Sequence, residues 1–174
     1  MRILAIAATF AALSGSAAGQ SVAVKPALSG LAFLTGNWSS GRGTVSETGG
    51  SSTGASRFTV EAGGAVLLRQ DRTNLFDRAG KPVGSFEQIM MIYPESGTLH
   101  ADYADGTHVI HYTSARIVPG KSVVFSSAPS AGAPVFQLAY TLAAPNKLDV
   151  AFGMAPPGQA GFRPIATGSL VRNP

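Results

Sequence analysis

From residue 37 onward, apolar and polar positions alternate with a period of two in short runs separated by clusters of Gly, Pro, Asn and Asp. A period of two is the signature of a strand with one buried face. The runs predict strands near 37–46, 54–62, 65–74, 85–93, 98–105, 107–116, 121–127, 134–142, 147–154 and 162–172. Turn signals fall between them, among them Gly63-Gly64, Asp105-Gly106, Pro119-Gly120 and Pro145-Asn146. About ten short strands joined by hairpin-length links predict an all-β, antiparallel up-and-down barrel, which leaves no sheet edge open. No stretch after residue 37 has the length and period of a crossover helix, so parallel units are excluded. Two links are read differently: Gly49 to Ser56 as a mobile loop, and 75–84 as a longer connection, either simply solvated or seated over one barrel mouth.

Before the strands, residues 26–34 place Leu28, Leu31 and Leu34 on one helical face, which suits a short plug for a barrel end. Residues 1–19 have Arg2, an apolar run over 3–13 and small residues at Ser16-Ala17-Ala18-Gly19, the pattern of a cleavable export leader. The predicted organisation is a leader at 1–19, a tail at 20–25 and a single barrel domain at 26–174. The location that follows is bacterial periplasm or medium, with no retained membrane anchor.

Composition narrows the chemistry. With no cysteine, disulfides, thiolate metal sites and cysteine nucleophiles are excluded. Without Arg2, twelve basic side chains stand against nine acidic ones, and they are scattered, not aligned in a stripe. Nucleic acid is therefore not an expected partner. A monomer or weak oligomer is expected.

Gly36-Asn37-Trp38 contains the single tryptophan and opens the first strand, while Arg172 ends the last. Glycine allows a tight turn there, and a guanidinium plane can cover an indole, so Gly36, Trp38 and Arg172 are candidates for closing one barrel end. Further on come Met90-Met91-Ile92-Tyr93, Tyr103 to Tyr112 (YADGTHVIHY), and Phe152-Gly153-Met154-Ala155-Pro156-Pro157-Gly158. Together with Leu34-Thr35-Gly36-Asn37-Trp38, these stretches resemble a group of secreted bacterial lipocalin-like proteins without an assigned activity. The resemblance implies a calycin-type β-barrel. Phe86 and Gln88 stand where that group has a histidine and an acid, and the Tyr103–His108 turn is one residue shorter. Nitrobindin-like barrels hold haem through a histidine near the C-terminus. This chain has none after His111, so that site does not carry over, and no cofactor is predicted.

The candidate site residues gather near one hairpin. If Asp105-Gly106 is a two-residue turn, Tyr103 faces His108, and His100 faces His111 with Cβ atoms about 5 Å apart. Asp102 lies on the same face as those two histidines, so His100, His111 and Asp102 are of the ligand types a divalent metal accepts. The plainer alternative is a solvated polar face, because Leu99, Ala101, Tyr103, Ile110 and Tyr112 make the apolar one. His108 falls with the tyrosines, at the mouth, where it serves a ligand or a proton transfer. In the strand near 65–74, Val66, Leu68 and Gln70 form the more apolar set. That places Gln70 and Arg72 inward and Arg69 outward, and Arg72 becomes the candidate partner of a ligand carboxylate. Met90 and Tyr140 suit a pocket for a flexible hydrophobic molecule.

No motif for a nucleophile, a metalloprotease or a phosphate loop is present. The leading expectation is an exported barrel that binds a small hydrophobic or amphipathic molecule without catalysis, through Tyr103, His108, Tyr112, Arg72, Met90 and Tyr140. Two alternatives stand beside it: an isomerase or hydrolase using His108, and an envelope interaction protein with a solid core.

Overall fold

A computed structural model describes residues 23–46, 48–159 and 161–174. The leader-like residues 1–19 lie outside the described residues. A 3₁₀ segment at Pro26–Leu34 precedes ten strands. These are β1 (Gly36–Val45), β2 (Gly50–Glu61), β3 (Val66–Phe76), β4 (Pro82–Glu95), β5 (Thr98–Ala104), β6 (Val109–Val118), β7 (Ser122–Ser127), β8 (Val135–Ala144), β9 (Lys147–Ala155) and β10 (Arg163–Arg172). Each strand pairs antiparallel with its sequence neighbour, and β1 pairs with β10, so the sheet closes into a barrel. Closure removes the unpaired edges that an open meander of this length would leave.

The segment from Gly49 to Ser56 is not a mobile loop: β2 begins at Gly50. A Cβ at Gly50 would collide with the Phe76 carbonyl oxygen, and one at Gly54 with that of Arg72. Small residues here let β2 lie close against β3, and their poor strand propensity disguises the strand. The connection over 75–84 shortens to a tight turn at 77–81. Lys81 N donates to the Asp77 carboxylate at 2.9 Å, and Gly80 N to the Asp77 carbonyl at 3.0 Å.

One barrel end is sealed. Leu28, Leu31 and Leu34 of the 3₁₀ segment are fully buried with Trp38, Phe58, Leu67, Ile92, Val123 and Leu148. Each such leucine contributes about 1.5–3 kcal/mol by leaving water. Trp38 Nε1 donates to the Leu34 carbonyl at 2.7 Å, and the Arg172 guanidinium lies 4.1 Å from the indole centroid. Arg172 Nη2 donates to the Phe33 carbonyl at 2.8 Å, and Nη1 to that of Thr35. The plug is therefore tied to both strands of the β1–β10 seam at this end. Gly36 sits at φ +111°, and a Cβ there would stand 2.8 Å from Arg172 Nη1.

The meander places the β1–β2, β3–β4, β5–β6, β7–β8 and β9–β10 links at the opposite end. Phe86, Phe136, Phe152, Thr73 and Leu75 face inward on that half and are only partly buried. Eight strands give an interior that side chains just fill, and barrel diameter grows with strand number.

Candidate functional site

The inward row of β3 is Leu67, Arg69 and Asp71, which reverses the face expected from its sequence. Arg72 is exposed on the outer wall with Gln70, and therefore does not face the interior. The reason is compensation. Arg69 (8% exposed) is buried because Asp71 two residues along the same face neutralises it. Arg69 Nε donates to Asp71 Oδ2 at 2.7 Å, and Nη2 donates both to Asp71 and, at 3.1 Å, to Gln88 Oε1. Ser56 Oγ donates to the other Asp71 oxygen. Burial works against the guanidinium charge, but Asp71 outweighs it and holds Arg69 firmly protonated.

The guanidinium reaches the barrel centre. β3 and β8 lie on opposite walls, yet Arg69 Cζ is 5.8 Å from the Tyr140 ring centroid. Tyr140 (1% exposed) packs edge-on to Phe58, and its hydroxyl has no hydrogen-bond partner among the described residues. Among the described residues, Arg69 Nη1 meets only the thioether of Met90, at 3.8 Å. A thioether is a weak acceptor, so two polar groups at the centre are left without good partners. Burial raises the hydroxyl pKa values of Tyr103, Tyr112 and Tyr140. All three remain neutral phenols able to donate.

A hydrogen-bonded chain links this centre to the rim. Gln88 Nε2 donates to Tyr103 OH at 3.0 Å, and Tyr103 OH donates to Asp105 Oδ2 at 2.9 Å. Asp105 Oδ1 also accepts from the backbone N–H groups of Thr107 and His108, at 2.9 and 2.7 Å. These bonds build a four-residue loop at 105–108, where the sequence suggested a two-residue turn. The register moves accordingly: Tyr103 pairs with Ile110, and Asp102 with His111. His108 thus leaves the interior row, with its side chain 70% exposed, 3.4 Å from Asp105. Burial favours the neutral acid, but the four hydrogen bonds outweigh it and lower the Asp105 pKa.

His100 does not face His111. It stacks on Tyr93, with centroids 6.0 Å apart, while His111 Nδ1 lies 2.7 Å from Asp102 Oδ1 on the outer wall. Tyr93 OH donates to the other Asp102 oxygen at 2.9 Å. Among the described residues, no three His, Cys, Asp or Glu side chains are grouped to hold a metal ion. The interior brings together Tyr103, Tyr112, Met90 and Tyr140 of the expected set, and leaves His108 and Arg72 outside. Sequence reasoning missed Arg69, Asp71, Ser56 and Gln88. The available signal was the Arg-x-Asp spacing, which puts opposite charges on one face of a strand.

Two grooves mark the outer wall. The larger, about 780 Å³, runs across β1 to β5 past Arg57, Gln70, Arg72, Glu87 and Ile89. The same wall exposes an apolar row, since Ile89, Ala104 and Val109 are register neighbours, with Met91 beside them.

No family model and no curated protein matches the chain. Among solved structures it is similar to Rv2717c from M. tuberculosis, with a TM-score of 0.59 and 16% identity over 87% of this chain and 99% of that one. Weaker similarities are to EF1p2_mFAP2b bound to DFHBI (TM-score 0.44, 15% identity, 83% and 98% covered) and to a redesigned β-barrel (TM-score 0.39, 17% identity, 84% and 96% covered). The first likeness agrees with the topology: the chain is a small, closed, antiparallel ten-strand barrel.

Proposed function

We propose that this chain is a calycin-like barrel that binds a small, mostly apolar molecule in the half of its interior nearest the open turns, without catalysis. The observation that carries the proposal is the polar centre. An arginine with an under-used Nη1 and a tyrosine hydroxyl with no partner among the described residues lie buried at the barrel centre. A buried polar group left unsatisfied costs about 1–3 kcal/mol, which a bound ligand would recover. Phe86, Phe136 and Phe152 supply the apolar walls, and Tyr103, Tyr112 and Met90 flank the polar end. The leader-like residues 1–19 support export, and the same reading takes the protein to the periplasm or medium.

Native mass spectrometry with an absorption spectrum, on protein purified from its own host, tests this proposal. A co-purifying small molecule that is lost on denaturation supports it. An empty barrel that is also unmoved in melting temperature by a broad panel of apolar compounds refutes it. The exposed row of Ile89, Met91 and Val109 favours a second reading, a protein that recognises partners through the outer wall. His108 supplies no comparable support for catalysis, because it lies in an exposed turn.

A further inference from the structure

We infer that the interior site selects uncharged ligands bearing a carbonyl-type acceptor, and that Asp71 is the residue that sets this selection. The inference rests on interior binding as proposed above and specifies its ligand class. An isolated inward arginine would invite a carboxylate or phosphate. Here the invitation is already answered, because Asp71 occupies Nε and Nη2 and brings the pair to zero net charge. An anionic ligand would enter a low-dielectric space beside the Asp71 carboxylate, with no second inward cation beside it among the described residues. The remaining basic side chain of β3, Arg72, is on the outer wall. A cationic ligand would face Arg69 itself.

What the centre still offers is two neutral-compatible donors, Arg69 Nη1 and Tyr140 OH, on adjoining groups. A carbonyl oxygen has two lone pairs and can accept from both at once. Met90 is the side chain that occupies Nη1, and its thioether is both a weak acceptor and readily repacked. A carbonyl that displaces it exchanges a poor contact for a good one. The body of the ligand then extends toward Phe86, Phe136 and Phe152.

The test is calorimetric titration with three probes of one shape: naphthalene carboxamide, naphthalene carboxylate and naphthalene. The wild type is expected to bind the carboxamide about tenfold or more tightly than the carboxylate, the size of one hydrogen bond gained against one charge buried. Asp71→Asn uncovers the Arg69 charge and should reverse that order. Tyr140→Phe should weaken the carboxamide by roughly three- to tenfold and leave naphthalene unchanged. Arg72→Ala serves as the outer-wall control and should alter none of the three. Carboxylate binding more tightly than carboxamide in the wild type overturns the inference, as does an unchanged order in folded Asp71→Asn. Should Asp71→Asn not fold, the wild-type order and Tyr140→Phe decide the matter alone. If folded wild type binds none of the probes, interior binding itself fails, a result distinct from binding with the wrong preference.

Discussion

Removing Asp71 while keeping Arg69 tests the buried pair most severely. In Asp71→Val the guanidinium keeps Gln88 Oε1 at 3.1 Å and a thioether at 3.8 Å, and loses every carboxylate contact. Removing one partner of a buried ion pair costs about 3–5 kcal/mol, because the surviving charge stays desolvated. A domain of this size shifts in Tm by roughly 2–4 °C per kcal/mol, so the expected fall is about 6–20 °C. The double variant Arg69→Met with Asp71→Val removes both charges and refills the space with apolar atoms. It should recover at least half of the loss, since such replacements are often neutral or stabilising. Urea unfolding and calorimetry of the wild type, both single variants and the double variant complete the cycle. Two results would refute the reasoning: an Asp71→Val variant within about 1 kcal/mol of wild type, which would mean a solvated pair, or a double variant no more stable than the single.

Other perturbations probe the plug and the rim. Arg172→Ala removes the plane over Trp38 and the donors to the Phe33 and Thr35 carbonyls, and should cost about 2–4 kcal/mol. Trp38, the single tryptophan, would report it by a red-shifted emission; unchanged emission and stability would contradict the tie. Gly36→Ala forces a Cβ into a left-handed backbone position against Arg172 and should lose about 1–3 kcal/mol in chemical denaturation. Asp105 has a lowered folded-state pKa, so its contribution is present above its unfolded value and disappears as pH falls through the folded one. Carboxyl NMR should show it titrating below ordinary aspartates, and amide exchange at Thr107 and His108 should quicken over the same acidic range. Titration at the ordinary value would exclude this role.

How far the chain could be read from its residues depends on what each position is paired with. The ten-strand meander was legible because alternation and turn residues are local properties, and the predicted runs overlap every observed strand. β2 was partly hidden because its first turn of sequence is Gly and Ser, accepted in a strand only where a neighbour's backbone comes close. The inward face of β3 was misjudged for a different reason. Val66 and Leu68 stand beside uncharged Gln70, whereas Leu67 shares the true inward row with two charges, and only the Arg69–Asp71 pairing makes that row tolerable inside. The hairpin at Asp105 went astray because its length is set by the carboxylate accepting two backbone N–H groups, a contact that residue types alone do not specify. A two-residue error in loop length then moved the histidine pairings.

Tyrosine NMR separates interior binding from recognition on the outer wall in a single experiment. The chain has four tyrosines: Tyr103, Tyr112 and Tyr140 face the interior, and Tyr93 lies on the outer wall against Asp102. With ring-labelled tyrosine and Tyr140→Phe for assignment, addition of the co-purifying molecule or naphthalene carboxamide should move the Tyr140 signal most. Tyr103 and Tyr112 should follow, and Tyr93 should stay fixed. A shift confined to Tyr93, or saturable binding that leaves Tyr140 unmoved, would contradict a ligand seated at the barrel centre.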